Sequence, residues 1–285
     1  MTSSGGVVIT YFLDAKTYNS YTMVKRLTLP TRAFGAEPGV PDIPALASWV
    51  AEHRGMTADL VTYRIDQSLD PQLPAGITFP CAGGIFYADR ILSCLSGVTG
   101  RKAVDEIWVE TGPVIEDACA LVGQKKGAWC ALPAPHALGI VDTYYHDEDE
   151  WNDAITGVYH TLMRAMRDAG VAGHVLISEV ADDAEISRLA RLKVFFFFPK
   201  QNRESLECVL EHQRQVAVSK NQLDTAFDLG NEYDLHRIIV MDPDEDAITW
   251  ALSHVDPDQV MAGGYCTEKC NAYWKSIVDA AYYTK

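Results

Sequence analysis

A chain of 285 residues that is 48% hydrophobic has enough apolar material for a full core and suits one large domain or two small ones. Its formal net charge of −15 argues against nucleic acid and anionic membranes as partners, since both call for clustered Lys and Arg. Solubility accounts for the acidity. No run reaches the ~18 apolar residues of a membrane span. The start Met1-Thr-Ser-Ser-Gly-Gly6 has no basic segment before an apolar one, so a cytoplasmic protein is expected. The seven cysteines are odd in number and irregularly placed, mostly in apolar runs, which reads as reduced thiols and no disulfide framework.

In chain order, residues 7–13 read as a strand, and 14–41, rich in Tyr, Thr, Pro and Gly, as a long ordered loop. Asp42 is placed to cap a helix with Leu46, Trp49 and Val50 on one face and Gly55 as its stop. Residues 59–65 read as the next strand. Pro71, Pro74, Pro80 and Gly83-Gly84 break up 67–104, which is expected to be an insertion with one helix over 87–95. A strand at 105–110 ends in Glu110. Pro113 opens a helix over 114–122, and a strand at 128–132 runs into Pro133-Ala-Pro-His136. Trp151, Ile155, Val158, Leu162 and Met166 lie on one face of the longest helix. The preceding acidic run, 146–150, suits the first turn of that helix by its dipole better than it suits a metal, since contiguous carboxylates cannot all converge on one ion.

From 174 to 266 five short apolar runs recur at about 20–22 residues, each followed by a helix-length segment, the cadence of strand–helix units in a parallel sheet. Asp182 with Glu185, and Asp242 with Glu245, read as capping boxes; Thr267 reads as the cap of the last helix. Counting strands near 60, 107, 129, 176, 196, 217, 239 and 261 gives a (β/α)8 TIM-like barrel with an extra N-terminal strand and helix. The whole chain, 1–285, is then a single α/β domain: 1–57 is the N-terminal strand, loop and helix, and 58–285 the barrel, with its insertion at 67–104. The alternative is a doubly wound open parallel sheet. No Gly-x-Gly-x-x-Gly follows a strand, which disfavours a dinucleotide-binding version.

Parallel α/β folds place their chemistry at the carboxyl ends of the strands. Glu179, ending a strand, is a general acid/base candidate, and Glu110 is expected to face it across the barrel mouth. Lys220, after the 216–219 run, is a candidate Schiff-base nucleophile or electrostatic clamp, with Lys200 second on the same reasoning. Asp242 stands at a matching strand end, although capping explains it. Gly263 and Gly264, before the last helix, are expected to admit an anionic group, with Tyr265, Asn221 and His136 completing the substrate-binding set. Cys266 and Cys270 lack two further ligands for a zinc site, no metal site is expected, and no cofactor is identified.

The leading expectation is a cytosolic enzyme that acts on a small polar, in one version phosphorylated, metabolite by acid/base or lysine-assisted carbonyl chemistry of lyase or isomerase type. A carboxylate-dependent or metal-assisted hydrolase of a sugar-like C–O bond, built on Glu110 and Glu179, is the second. A non-catalytic ligand- or partner-binding barrel is the third. The expected partner is a small molecule, not nucleic acid or membrane, and oligomer formation is left open.

Overall fold

The computed structural model describes residues 8–9, 25–53, 58–268 and 270–284. Eight parallel strands form its centre: β1 (Thr31–Ala36), β2 (Cys81–Gly83), β3 (Trp129–Pro133), β4 (His174–Ile177), β5 (Val194–Phe197), β6 (Gln215–Val218), β7 (Arg237–Met241) and β8 (Val260–Cys266). Backbone ladders join β2-β3-β4-β5 into one arc and β6-β7-β8-β1 into another.

Two seams close the ring. Between β1 and β2, Phe79 pairs with Arg32 in a parallel bridge; Ala33 N donates to Phe79 O at 3.0 Å and Phe79 N to Thr31 O at 2.9 Å. Between β5 and β6 two glutamine side chains stand in for the ladder. Gln213 Oε1 accepts from Phe196 N at 3.0 Å, and its Nε2 donates to Gln215 O at 2.7 Å. Gln201 Nε2 donates to Phe198 O at 2.8 Å and to Ala217 O at 2.6 Å. Backbone groups at the seam thus find partners, as buried amides must. The fold is a TIM-type (β/α)8 barrel, and the open-sheet alternative is set aside by the closure.

The 20–22-residue cadence is that of β4 to β8, with the helices Asp183–Leu189, Arg203–Leu210, Leu223–Gly230 and Glu245–His254 between them. The long helix is Glu148–Asp168, capped by Asp147 and carrying Glu148, Asp149 and Glu150 in its first turn. Its inner face buries Ile155, Val158, Tyr159, Leu162 and Met166 against the barrel.

The first two barrel strands differ from those expected. Residues 59–65 belong to a helix, Leu60–Leu69, and not to a strand. Asp59 decides this: its Oδ1 accepts from Thr62 N at 2.9 Å while Thr62 Oγ1 accepts from Asp59 N at 2.8 Å, a reciprocal cap that outweighs the strand propensity of Val61, Thr62, Tyr63 and Ile65. The strand ending before Glu110, Lys102–Val109, lies outside the barrel in a three-stranded sheet with Leu95–Thr99 and Val141–Asp142. The true β1 lies inside the supposed loop 14–41. It is fully buried, and its small residues and Gly35 hid its strand character. The true β2 is three residues long, within the supposed insertion. Of the predicted strand 7–13, Val8–Ile9 pairs antiparallel with Lys25–Thr28, which in turn pairs with Tyr282–Thr284; residues 7 and 10–13, like loop residues 14–24 and Gly55, lie outside the described residues.

Asp59 also enters a buried charge network that ties three helices together. Arg90, from Ala88–Cys94, donates to Asp117, from Gly112–Gln124, through Nε at 2.7 Å and Nη2 at 3.1 Å, and to Asp59 through Nη1 at 2.8 Å. Tyr87 OH donates to Asp117 Oδ2 at 2.9 Å. One disulfide, Cys266–Cys270, corrects the expectation of reduced thiols throughout; it joins the end of β8 to the start of the helix Cys270–Ala280. Among the described residues no helix is long and apolar enough to cross a membrane.

Candidate functional site

The carboxyl ends of the strands bring together two polar groups. The first forms where β1, β2 and β8 end. Glu37, one residue beyond β1, accepts from Tyr265 OH at 2.7 Å and from the Ile85 backbone amide, and pairs with Arg64 at 3.4 Å. Its own amide is held by Cys266 O at 2.7 Å, so both backbone and carboxylate are fixed. Arg64 in turn lies 4.2 Å over the Phe86 ring. Gly84 is required here, because a Cβ would overlap Glu37 Oε1 and the Ala36 carbonyl. Burial, then the Glu37 charge, pushes the Tyr265 hydroxyl well above its ordinary range, so it stays protonated and donates.

Next to this group, Tyr273 OH donates to Asp242 Oδ1 and accepts from Tyr265 N at 2.8 Å. Asp242 follows β7 in the left-handed region, φ 46°, a conformation that non-glycine residues adopt rarely and that often marks a functional position. Its expected cap role belongs to Asp244, whose Oδ1 accepts from Ala247 N at 2.7 Å. Asp242 is therefore freed from helix capping and exposed at the strand end.

The second group is a histidine–carboxylate dyad at the rim after β3. His136 sits in the short turn Pro135–Leu138. Its Nδ1 lies 2.8 Å from Glu185 Oε2, and its backbone amide donates to Glu185 Oε1 at 2.6 Å. Glu185 grips ring and backbone together, and no other described residue bonds to Nε2. The His136 side chain is 29% exposed and that of Glu185 only 6%. The hydrogen bond to Glu185 raises the imidazole above its ordinary value, although burial opposes this; burial raises the Glu185 carboxyl, partly offset by His136. The capping box predicted for Asp182 and Glu185 is half formed: Asp182 Oδ1 accepts from Glu185 N at 3.0 Å, but the Glu185 side chain turns away to His136. His136, Asp182 and Glu185 could also hold a cation, since each offers a ligand atom and all lie within 4.8 Å of one another.

The other predicted site residues lie as follows. Glu179 is 81% exposed and 3.6 Å from Lys200, itself 82% exposed. Glu110 follows the outer hairpin strand Lys102–Val109, so it does not end a barrel strand as expected. Lys220 donates to Asp244 at 2.8 Å and Asp246 at 3.3 Å, and the Asp244 contact holds its ammonium above its ordinary range, opposite to what a nucleophilic amine needs. Asn221 accepts from Ser219 Oγ beside it. Gly263 and Gly264 lie inside β8, paired with β7 and β1, and not in a turn before the last helix, which starts at Cys270. What Gly264 admits is the Tyr273 hydroxyl, where a Cβ would overlap it. Tyr265 and His136 fall in the two polar groups. Glu37, Arg64, Tyr273 and Glu185 are additions; Glu37 was hidden by Gly35-Ala36 before it and Pro38 after it, which read as loop.

A cleft of about 660 Å³ lies elsewhere, outside the barrel, lined by Trp49, His53, Asp66, Cys119 and Gln124 among others. Its central carboxylate is already engaged: Asp66 accepts from Trp49 Nε1 at 3.0 Å and Gln124 Nε2 at 2.6 Å.

No family model matches the chain, and no curated protein is similar to it in sequence. Solved structures similar to it include a Listeria monocytogenes protein assigned as a vitamin B12-independent methionine synthase, at 16% identity and TM-score 0.63, over 89% of this chain and 96% of that one. Another is a B12-independent methionine synthase from Shewanella sp. W3-18-1 in complex with selenomethionine, at 15% identity and TM-score 0.53, again over 89% and 96%. At such identities the likeness is one of fold, and the neighbours are barrel enzymes.

Proposed function

We propose that the chain is an enzyme that acts on a small polar metabolite at the carboxyl-end mouth of the barrel by acid/base chemistry of lyase or isomerase type. The observation that carries this reading is the His136–Glu185 dyad, with its 2.8 Å contact to Nδ1. A carboxylate fixes ring and tautomer, and Nε2 is left to exchange a proton with a bound molecule, the arrangement of an oriented general acid/base. Glu37 and Asp242, held by tyrosine hydroxyls, would receive an amino group or other hydrogen-bond donor of the substrate. The doubly paired Lys220 favours proton transfer over a lysine Schiff base, and the separation of Glu179 from the barrel interior weakens the glycosidase reading.

Amino acids are the first ligands to try, because one structure of similar fold holds selenomethionine. A thermal-shift screen with amino acids, oxo acids and sugar phosphates is expected to find one class that raises the unfolding midpoint by mass action. Glu37→Gln is expected to remove most of that rise. With the ligand so found as substrate, His136→Gln is expected to lower turnover by roughly 10²–10⁴-fold with little change in binding. A ligand response untouched by Glu37→Gln, with turnover untouched by His136→Gln, would place the site elsewhere.

A further inference from the structure

The amino-end half of the barrel interior carries two arginines that the proposed chemistry does not use. The inward positions follow from Gly263: a Cβ there would meet Ile239 Cγ2 at 2.6 Å and Phe34 Cε2 at 3.0 Å, so 34, 239 and 263 face the interior. Alternation along β1 and β7 then turns Arg32 and Arg237 inward as well. Arg32 is 7% exposed, and its Nε and Nη2 are buried without a hydrogen-bond partner; Arg237 Nε is likewise buried and unpartnered. The Arg32 guanidinium lies 4.1 Å over the Trp129 ring and 4.8 Å over Phe195.

Aromatic faces accommodate a guanidinium from above and below, but its N–H donors lie in its plane and need acceptors. None is supplied by charge: the inward positions near the pair hold Cys81, Trp129, Val175, Phe195 and Ala217, with the neutral amide of Gln215 in register with Arg237, and no carboxylate among the described residues. Burial and the neighbouring Arg237 lower the Arg32 pKa only to about 10, so the guanidinium keeps its charge at neutral pH. Arg32 is enclosed and Arg237 beside it is half-buried, and two like charges so placed are costly unless a counter-charge joins them. Water could accept the N–H bonds but could not neutralise the pair.

We propose that Arg32 and Arg237 bind a small monovalent anion, of halide or formate size, inside the amino-end half of the barrel. The rings of Phe34, Trp129 and Phe195, within 5.5 Å of the Arg32 guanidinium, set the small size. The site is remote in kind from the mouth and would serve the fold.

The test replaces sodium gluconate, too large to enter, by sodium chloride or sodium formate at constant ionic strength, and follows the unfolding midpoint and the chloride NMR line width. At a hundredfold excess over Kd the midpoint of the natural protein is expected to rise by about 4–5 °C. The two salts separate a halide from a carboxylate occupant. Arg32→Met and Arg237→Gln are each expected to lose the rise and the excess line width while staying folded in gluconate. If one variant fails to fold, the other and the line width of the natural protein decide. A midpoint indifferent to which anion is present, with line widths equal in natural protein and variant, would overturn the proposal and leave water as the occupant.

Discussion

Replacing Arg90 by Met is expected to cost roughly 3–5 kcal/mol of stability, the range seen when one partner of a buried ion pair is removed. The reason is what it leaves behind. Asp117 is 2% exposed and takes two of its hydrogen bonds from Arg90, at 2.7 and 3.1 Å. Burial already pushes the Asp117 carboxyl above its ordinary pKa, with Arg90 and Tyr87 offsetting that. Without the guanidinium, Asp117 must ionise in an apolar setting or take up a proton, and Asp59 loses its link to the helix Ala88–Cys94. Urea unfolding is the check: the midpoint should fall with the slope unchanged. A loss below about 1 kcal/mol would show that the network contributes little beyond packing.

At acid pH, His174→Leu is expected to be more stable than the natural protein. His174 is fully buried, neither ring nitrogen has a partner, and burial lowers its pKa from 6.5 to about 3. The sign follows from proton linkage. The folded chain holds the ring neutral, while the unfolded chain takes up a proton below pH 6.5, so stability is lost as pH falls from about 6.5 toward about 3. Leucine removes that term. Relative to its effect at pH 8, the substitution should gain roughly 3 kcal/mol at pH 4, at about 1.4 kcal/mol per pH unit. Paired denaturant curves at the two pH values measure this difference directly. A substitution effect that is the same at both would mean that His174 is solvated or charged in the native state.

The parts of the fold that could be read from sequence are those where burial imposes a simple pattern. Runs such as Val194-Phe-Phe-Phe-Phe198 are buried on both faces, and regular helix-length spacers separate them, so β4 to β8 stood out. The eightfold count rests nevertheless on two compensating pairs of misreadings, 59–65 for Thr31–Ala36 and 105–110 for Cys81–Gly83. Residues 59–65 show strand composition but obey a local cap at Asp59, and Thr31-Arg-Ala-Phe-Gly-Ala36 shows loop composition but forms a strand because its neighbours bury it. Propensity loses to a specific cap in the first case and to tertiary packing in the second.

The site was less legible for a related reason. Glu185 and Asp242 both stand where a capping box accounts for them, yet each is turned to another use, to His136 and Tyr273. Such a local rule describes what a side chain can do, and a more favourable partner distant in sequence overrides it. Lys220 and Glu179 lie two residues beyond the strands they were expected to end and pair with surface charges, a choice that only the geometry of the surrounding turns determines. The Gln213 and Gln201 bridges at the β5–β6 seam have no sequence signal at all.

The most direct test of a catalytic mouth is the titration of His136, followed by NMR in the natural protein and in Glu185→Gln. An inflection above the ordinary histidine value of 6.5 is expected, falling clearly when the carboxylate is neutralised, because the hydrogen bond that Glu185 accepts is the largest cause of the rise. An inflection at or below that value, unmoved by Glu185→Gln, would mean that the dyad does not exist in solution, and the acid/base reading would lose its foundation.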